Sequence, residues 1–149
     1  MQLSPHFSLD ELTLSATAVR AGVSNRPPPL VITALTDTAA RMETVRTLLG
    51  GRTIAVSSGY RGPALNRLVG GAKGSAHLTG RAVDFNCRGF GSPLEVCRAL
   101  SRARAEGRLA YDQLIHEYGR WIHISFDPRM RGEDLSLGAG IKRAGHYPV

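Results

Sequence analysis

Two strand-like runs, TIAVSS at 53–58 and RAVDFN at 81–86, flank a stretch, 59–81, that holds six glycines and one proline. Glycine loses conformational entropy in any regular element, so the stretch reads mainly as loop, with one helical turn near Ala64. The runs on either side alternate as half-buried strands do. Ile54 and Val56 point inward from the first. From the second, Val83 and Phe85 point to a core, which leaves Asp84 with Ala82 on the other face, because side chains two apart share a face.

The helical patterns lie outside this region. SLDE at 8–11 pairs Ser8 with Glu11 as a capping box and predicts a short helix. After the breaker SNRPPP at 24–29, Ile32, Leu35, Ala39, Met42, Val45 and Leu49 recur every three or four residues, and Gly50-Gly51 ends the helix they predict. SPLEVCRALSRARAEG at 92–107 has Ser92 and Glu95 as a second capping box, Pro93 in its first turn and Gly107 at its end. DQLIHE and WIHISF then predict a hairpin around YGR. The fold class is therefore α+β, a small and largely antiparallel sheet with helices packed on one side. One domain over 1–149 is expected, with an N-terminal arm at 1–30 and an irregular, Gly- and Arg-rich tail at 128–149.

A net charge of +7 favours acidic partners. The arginines are scattered, however, and the richest group (Arg98, Arg102, Arg104, Arg108) reads as the solvated face of one helix. With 6% aromatic residues there is little material for stacking bases, so no nucleic-acid partner is expected. No run approaches the roughly 20 apolar residues of a membrane span, and no membrane insertion is expected. MQLSPHFSLDEL lacks the basic start and apolar core of a signal peptide, which predicts synthesis in the cytoplasm without one. Cys87 and Cys97, ten apart and without a CxxC pair, predict reduced thiols. A monomer is expected.

The chemistry-bearing residues cluster around Asp84. His77 precedes it by seven residues, with Gly80 between them as a bend. His123 points with Trp121 and Ser125, opposite Ile122 and Ile124. If the two strands are near neighbours, Asp84 and His123 converge on one face and His77 joins them from the loop. Two imidazoles and a carboxylate form a three-ligand zinc set with a fourth position open to water. A hydrogen-bonded His–Asp pair beside a core histidine is the competing reading of the same spacing. The hairpin offers a proton carrier, whose identity depends on loop length. A three-residue loop, Tyr118 to Arg120, puts Glu117 on the face of His123, whereas a two-residue loop puts His116 there. Gly119 suits the shorter turn, so local chemistry leaves both open. Arg61 follows a strand, where residue type alone makes it a solvated loop arginine.

The pattern Ser75-x-His77-x-x-Gly80-x-Ala82-x-Asp84, followed by Trp121-x-His123, resembles the zinc D-Ala-D-Ala carboxypeptidase and L,D-endopeptidase superfamily, the M15 peptidases. SSGYRGPALNRLVGGAKGSAHLTGRAVDF and YDQLIHEYGRWIHIS are similar to its small phage and prophage members, and the likeness runs from about Phe7 to Phe126. It implies a hedgehog/DD-peptidase-like fold with the zinc site on the sheet face, one Zn2+ held by His77, Asp84 and His123, and Arg61 binding a substrate carboxylate or carbonyl. Ser75 would either bond substrate or hold the ligand loop. In several relatives the catalytic acid stands three residues before the last histidine. Here that position is Arg120, and the resemblance points instead to Glu117, with His116 as the alternative.

What the resemblance implies for function is a peptidoglycan hydrolase that cuts an amide bond of the stem peptide, as DD-carboxypeptidase or endopeptidase. It would reach the wall after holin-type release or as a virion component. The departure at Arg120 supports an alternative: a non-catalytic, zinc-containing wall-binding or structural virion protein on the same fold.

Overall fold

The computed structural model describes residues 1–149. A six-stranded sheet is built from β3 (Ala55–Ser58), β4 (Ala82–Asn86), β5 (Gln113–Glu117), β6 (Trp121–Ser125), β7 (Glu133–Gly138) and β8 (Ile141–Ala144), in the order β3-β4-β6-β5-β7-β8. Four of its pairings are antiparallel, and β5 with β7 is parallel. The chain is thus α+β with a mixed, largely antiparallel sheet. No helix is long and apolar enough to cross a membrane.

The core forms where α2 (Pro29–Leu48) and α4 (Pro93–Ala105) pack on one face of the sheet, while the short α3 (Pro63–Leu68) stands in the glycine-rich loop. From α2, Leu35, Ala39, Met42 and Val45 are buried, which is the periodic face read from the sequence. Thr38 lies on the same face and is also fully buried. Its hydroxyl donates to the Gly80 carbonyl at 2.7 Å, so this one polar residue ties the helix to the loop before β4. In α4 the capping box forms as expected: the Ser92 hydroxyl accepts from the Glu95 N–H, and the Glu95 carboxylate accepts from the Ser92 N–H. Val96, Cys97 and Leu100 then meet Val83, Phe85, Leu114, Ile122 and Ile124 of the sheet. Cys87 and Cys97 are both buried and unpaired.

Two expectations are corrected. The tail at 128–149 is not irregular, because β7 and β8 occupy much of it. Its strand signal is weak because the buried position between Leu135 and Leu137 is Ser136, a polar residue whose hydroxyl donates to the Gly145 carbonyl. The arm at 1–30 holds a small hairpin of β1 (Gln2–Ser4) and β2 (Phe7–Ser8), a short helix α1 (Ala16–Ala21), and the fully buried Phe7 and Leu12. Glu43 of α2 fastens the hairpin by accepting from the Ser4 hydroxyl and the His6 N–H. The SLDE capping box makes both of its hydrogen bonds, yet only turns follow. The Leu12 and Thr13 carbonyls, which a continuing helix would use, accept instead from the Tyr60 N–H and the Asn25 side chain.

Two arginines of the tail, Arg131 and, at 3.6 Å, Arg129, pair with Asp112 beside the sheet. The Asp112 carboxylate, 2% exposed, accepts from Nε and Nη2 of Arg131 at 2.9 Å each and from its backbone N–H at 3.0 Å. Those bonds from Arg131 hold its carboxyl below the usual range, against the burial that opposes it. The unfolded chain binds the proton more tightly, so this contribution is complete above about pH 4 and is lost as pH falls through the lowered native value. Asp112→Asn should therefore lower the urea midpoint at pH 7 and shrink the loss of stability between pH 5 and pH 3. An unchanged pH dependence in urea titrations would contradict the assignment.

Candidate metal centre

Asp84 on β4 stands opposite His123 on β6 in an antiparallel pairing, with Val83 opposite Ile124 and Phe85 opposite Ile122. The apolar pairs enter the core, and the polar pair faces the open side of the sheet. His77 arrives from a 3-10 turn, Ala76–Thr79, that is closed at both ends. At its start the Ser75 hydroxyl accepts from the His77 N–H at 3.2 Å. At its end Gly80 adopts φ +76, where a Cβ would also press on Val31 and Leu35 of α2. A non-glycine residue there meets both backbone strain and a packed helix.

The ligand-type atoms of His77, Asp84 and His123 all lie within 4.8 Å of one another. Asp84 Oδ1 is 2.9 Å from His123 Nδ1 and 3.2 Å from His77 Nε2. His77 is 1% exposed, and its Nδ1 lies 2.6 Å from the Gly59 carbonyl. That carbonyl can only accept, so the proton sits on Nδ1 and a lone pair remains on Nε2. Burial lowers the His77 pKa more than Asp84 restores it, so the ring is neutral. A lone pair then faces a carboxylate oxygen. Two electron-rich atoms so close fit a cation between them, and a histidine whose other nitrogen bonds a backbone carbonyl is the usual metal-ligand arrangement. Burial works against charge on Asp84, but the hydrogen bond from His123 opposes it, and the carboxyl stays well below the usual carboxylate range. These three residues could hold a metal ion.

A cleft of about 620 Å³ opens over them, and Arg61, Ser75 and Glu117 also line it. The β5–β6 connection has three residues and pairs Glu117 with Trp121, so Glu117 shares the face of His123. Burial raises the Glu117 pKa, with Asp84 adding to the rise and His123 opposing it. The Trp121 indole N–H lies near this carboxylate without reaching hydrogen-bond geometry and has no other partner. His116, the alternative, is not brought to the cleft. It is 3% exposed on the other face, where Nδ1 meets the Tyr147 carbonyl at 2.9 Å.

Arg61 is not a solvated loop arginine. Its Nε is buried without a partner, while Nη2 donates to the Ser75 hydroxyl at 3.4 Å. Desolvation lowers its pKa against the opposing pull of Asp84 and Glu117. The Ser75 hydroxyl accepts from both the His77 N–H and Arg61 Nη2, so it links the turn that carries His77 to Arg61. Arg120 lies in the hairpin connection, its carbonyl accepting from Asn86, outside the cleft lining. Ile115, which the sequence reading passed over, belongs to the cleft wall. It stands directly opposite His123 in the β5–β6 register, and the period-2 rule applied to Glu117 would have found it.

A family model described as Peptidase M15 matches residues 5–125, from the N-terminal hairpin to the end of β6. No curated protein matches the chain.

If the three side chains form one centre, Co2+ should bind with one-to-one stoichiometry and give a d–d absorption spectrum. It should also raise the melting temperature by mass action. Asp84→Ala should lose both the spectrum and the stabilisation, as read by absorption titration and thermal melts. Equal stabilisation of the variant would show that the ion binds elsewhere.

Proposed function

The chain belongs to the M15 peptidase family, and we propose that it is a zinc-dependent peptidase that hydrolyses an amide bond in the peptidoglycan stem peptide. The observation that carries this reading is a carboxylate, Glu117, that lines the same cleft as the buried His77 and His123 and the half-buried Asp84. Two histidines and one carboxylate are a donor set suited to catalytic zinc, since they leave a coordination position open. When bound there, zinc would supply Lewis acidity, lowering the pKa of water and polarising the scissile carbonyl.

The remaining work falls to the chain's own side chains. Glu117 takes the proton from the attacking water and returns it to the leaving nitrogen. Its raised pKa suits a group that must both accept and donate near neutrality. Arg61 presents a partly desolvated guanidinium to the cleft, where it would bind a substrate carboxylate or the oxygen on which charge develops. Ser75 keeps His77 and Arg61 in place from one hydroxyl. The non-catalytic alternative rests on Arg120, and Glu117 on the cleft face favours the catalytic reading over it. The enzyme would meet its substrate after holin-type release or as part of a virion.

Purified peptidoglycan should be cut by the protein, with loss of cutting under a chelator and recovery on adding Zn2+. Mass spectrometry of the products assigns the bond as D-Ala-D-Ala, L-Ala-D-Glu or a D-Ala crosslink. Glu117→Gln should lower kcat by at least about 100-fold while still binding one zinc, and His116→Ala should leave the rate within a few-fold. Full activity of Glu117→Gln would refute its role as proton carrier. Absence of cutting under every metal condition would favour wall binding instead.

A further inference from the structure

Arg61 is held by a residue that belongs to none of the site motifs. The SNRPPP segment reads from sequence only as a breaker, yet Asn25 within it makes three hydrogen bonds, all to backbone. Its Nδ2 donates to the Thr13 carbonyl at 2.8 Å and to the Tyr60 carbonyl at 2.9 Å. Its Oδ1 accepts from the Gly62 N–H at 2.7 Å. Tyr60 and Gly62 are the two neighbours of Arg61, so one side chain brackets that residue on both sides.

The bracket completes a network that leaves the 59–62 segment little freedom. The Tyr60 N–H donates to the Leu12 carbonyl at 2.7 Å, the Arg61 N–H donates to the His77 carbonyl at 3.0 Å, and the Gly59 carbonyl accepts from His77. A Cβ on Gly59 would collide with the Leu12 backbone, so loop and arm are in close apposition. Arg61 itself has one long side-chain bond and a buried, unpartnered Nε. Few contacts of its own fix its direction, so the backbone must do so. Arg26 and the prolines from Pro27 follow Asn25, and their restricted dihedrals limit how far Asn25 can move.

We propose that Asn25 is a positioning residue: it clamps the backbone on both sides of Arg61 and so aims the guanidinium into the cleft for substrate binding. This inference rests on the peptidase reading of the cleft. The N-terminal arm is then part of the substrate site rather than an appendage to it.

A double-mutant cycle on the zinc-loaded protein tests this, with a synthetic stem pentapeptide ending in D-Ala-D-Ala, or muropeptides if that bond is not cut. Asn25→Ala and Arg61→Ala should each lower kcat/KM by about tenfold, chiefly through KM, and the double variant should be no worse than Arg61→Ala alone. Effects on melting temperature should add. Phe7→Leu, a destabilising change in the arm's core, should lose stability without raising KM. Losses in kcat/KM that multiply would overturn the proposal.

Nitrogen-15 NMR of the Arg61 Nε–H gives a readout free of activity. The signal should be protected from exchange in the wild type, and exposed in both Asn25→Ala and the isosteric Asn25→Asp, which keeps the acceptor and loses both donors. An unchanged Nε–H signal in folded variants overturns the proposal. If the wild type cuts nothing, the peptidase reading fails, and the NMR comparison still decides whether Asn25 holds Arg61.

Discussion

The pairing of β4 with β6 in one register is the constraint on which the site depends. Val83, Phe85, Ile122 and Ile124 are all fully buried, and each occupies a position adjacent to Asp84 or His123 in its own strand. Slipping either strand by one residue would drive its polar member into the core and turn its apolar pair outward. Burying four such side chains is worth roughly 6–12 kcal/mol, far more than the hydrogen bonds of the polar pair. The core therefore decides where Asp84 and His123 point. Two charged or titratable groups can be held nearly dry because the apolar residues between them fix the strands that carry them.

The third residue of the candidate metal centre needs a different device, since His77 is not on a strand. Its ring is fixed by the Gly59 carbonyl, its backbone by Ser75 and Gly80, and Gly80 in turn by Thr38 of α2. Each tie comes from a separate part of the chain. The glycine-rich segment makes this feasible by letting backbone come close to backbone, as at Gly59 against Leu12. A loop with few apolar anchors is made rigid by hydrogen bonds to its main chain.

Much of this was legible in the sequence because it is local. The capping box of α4, the periodic face of α2, and the alternation of RAVDF and WIHIS each report on neighbours a few residues away. Alternation and a glycine bend brought His77, Asp84 and His123 together only on the condition that the two strands are neighbours, a non-local pairing that the resemblance, not the local pattern, supported. What escaped was non-local. The SLDE signal was sound as a cap, but the chain beyond it gives its carbonyls to Tyr60 and Asn25, which lie 12 or more residues further on. Asn25 carried no signal, because an asparagine before prolines reads as a turn former.

The hairpin parity that places Glu117 belongs to the same non-local class. A loop of three residues needs Tyr118 at φ +56, a left-handed conformation that costs a non-glycine residue about 1–2 kcal/mol. Local preference would therefore move the turn to Gly119 and put His116 on the cleft face. The Tyr118 N–H donates to the Leu137 carbonyl of β7 at 2.7 Å, and the Tyr118 ring stacks at a tilt against Trp121, 5.7 Å away. Beyond them, β7 runs parallel to β5 over the full length of that strand. A strand from the tail thus offsets the strain in the turn, and the turn sets which face Glu117 occupies. The face that Glu117 occupies was ambiguous from sequence because it depends on a strand whose own signal is broken by Ser136.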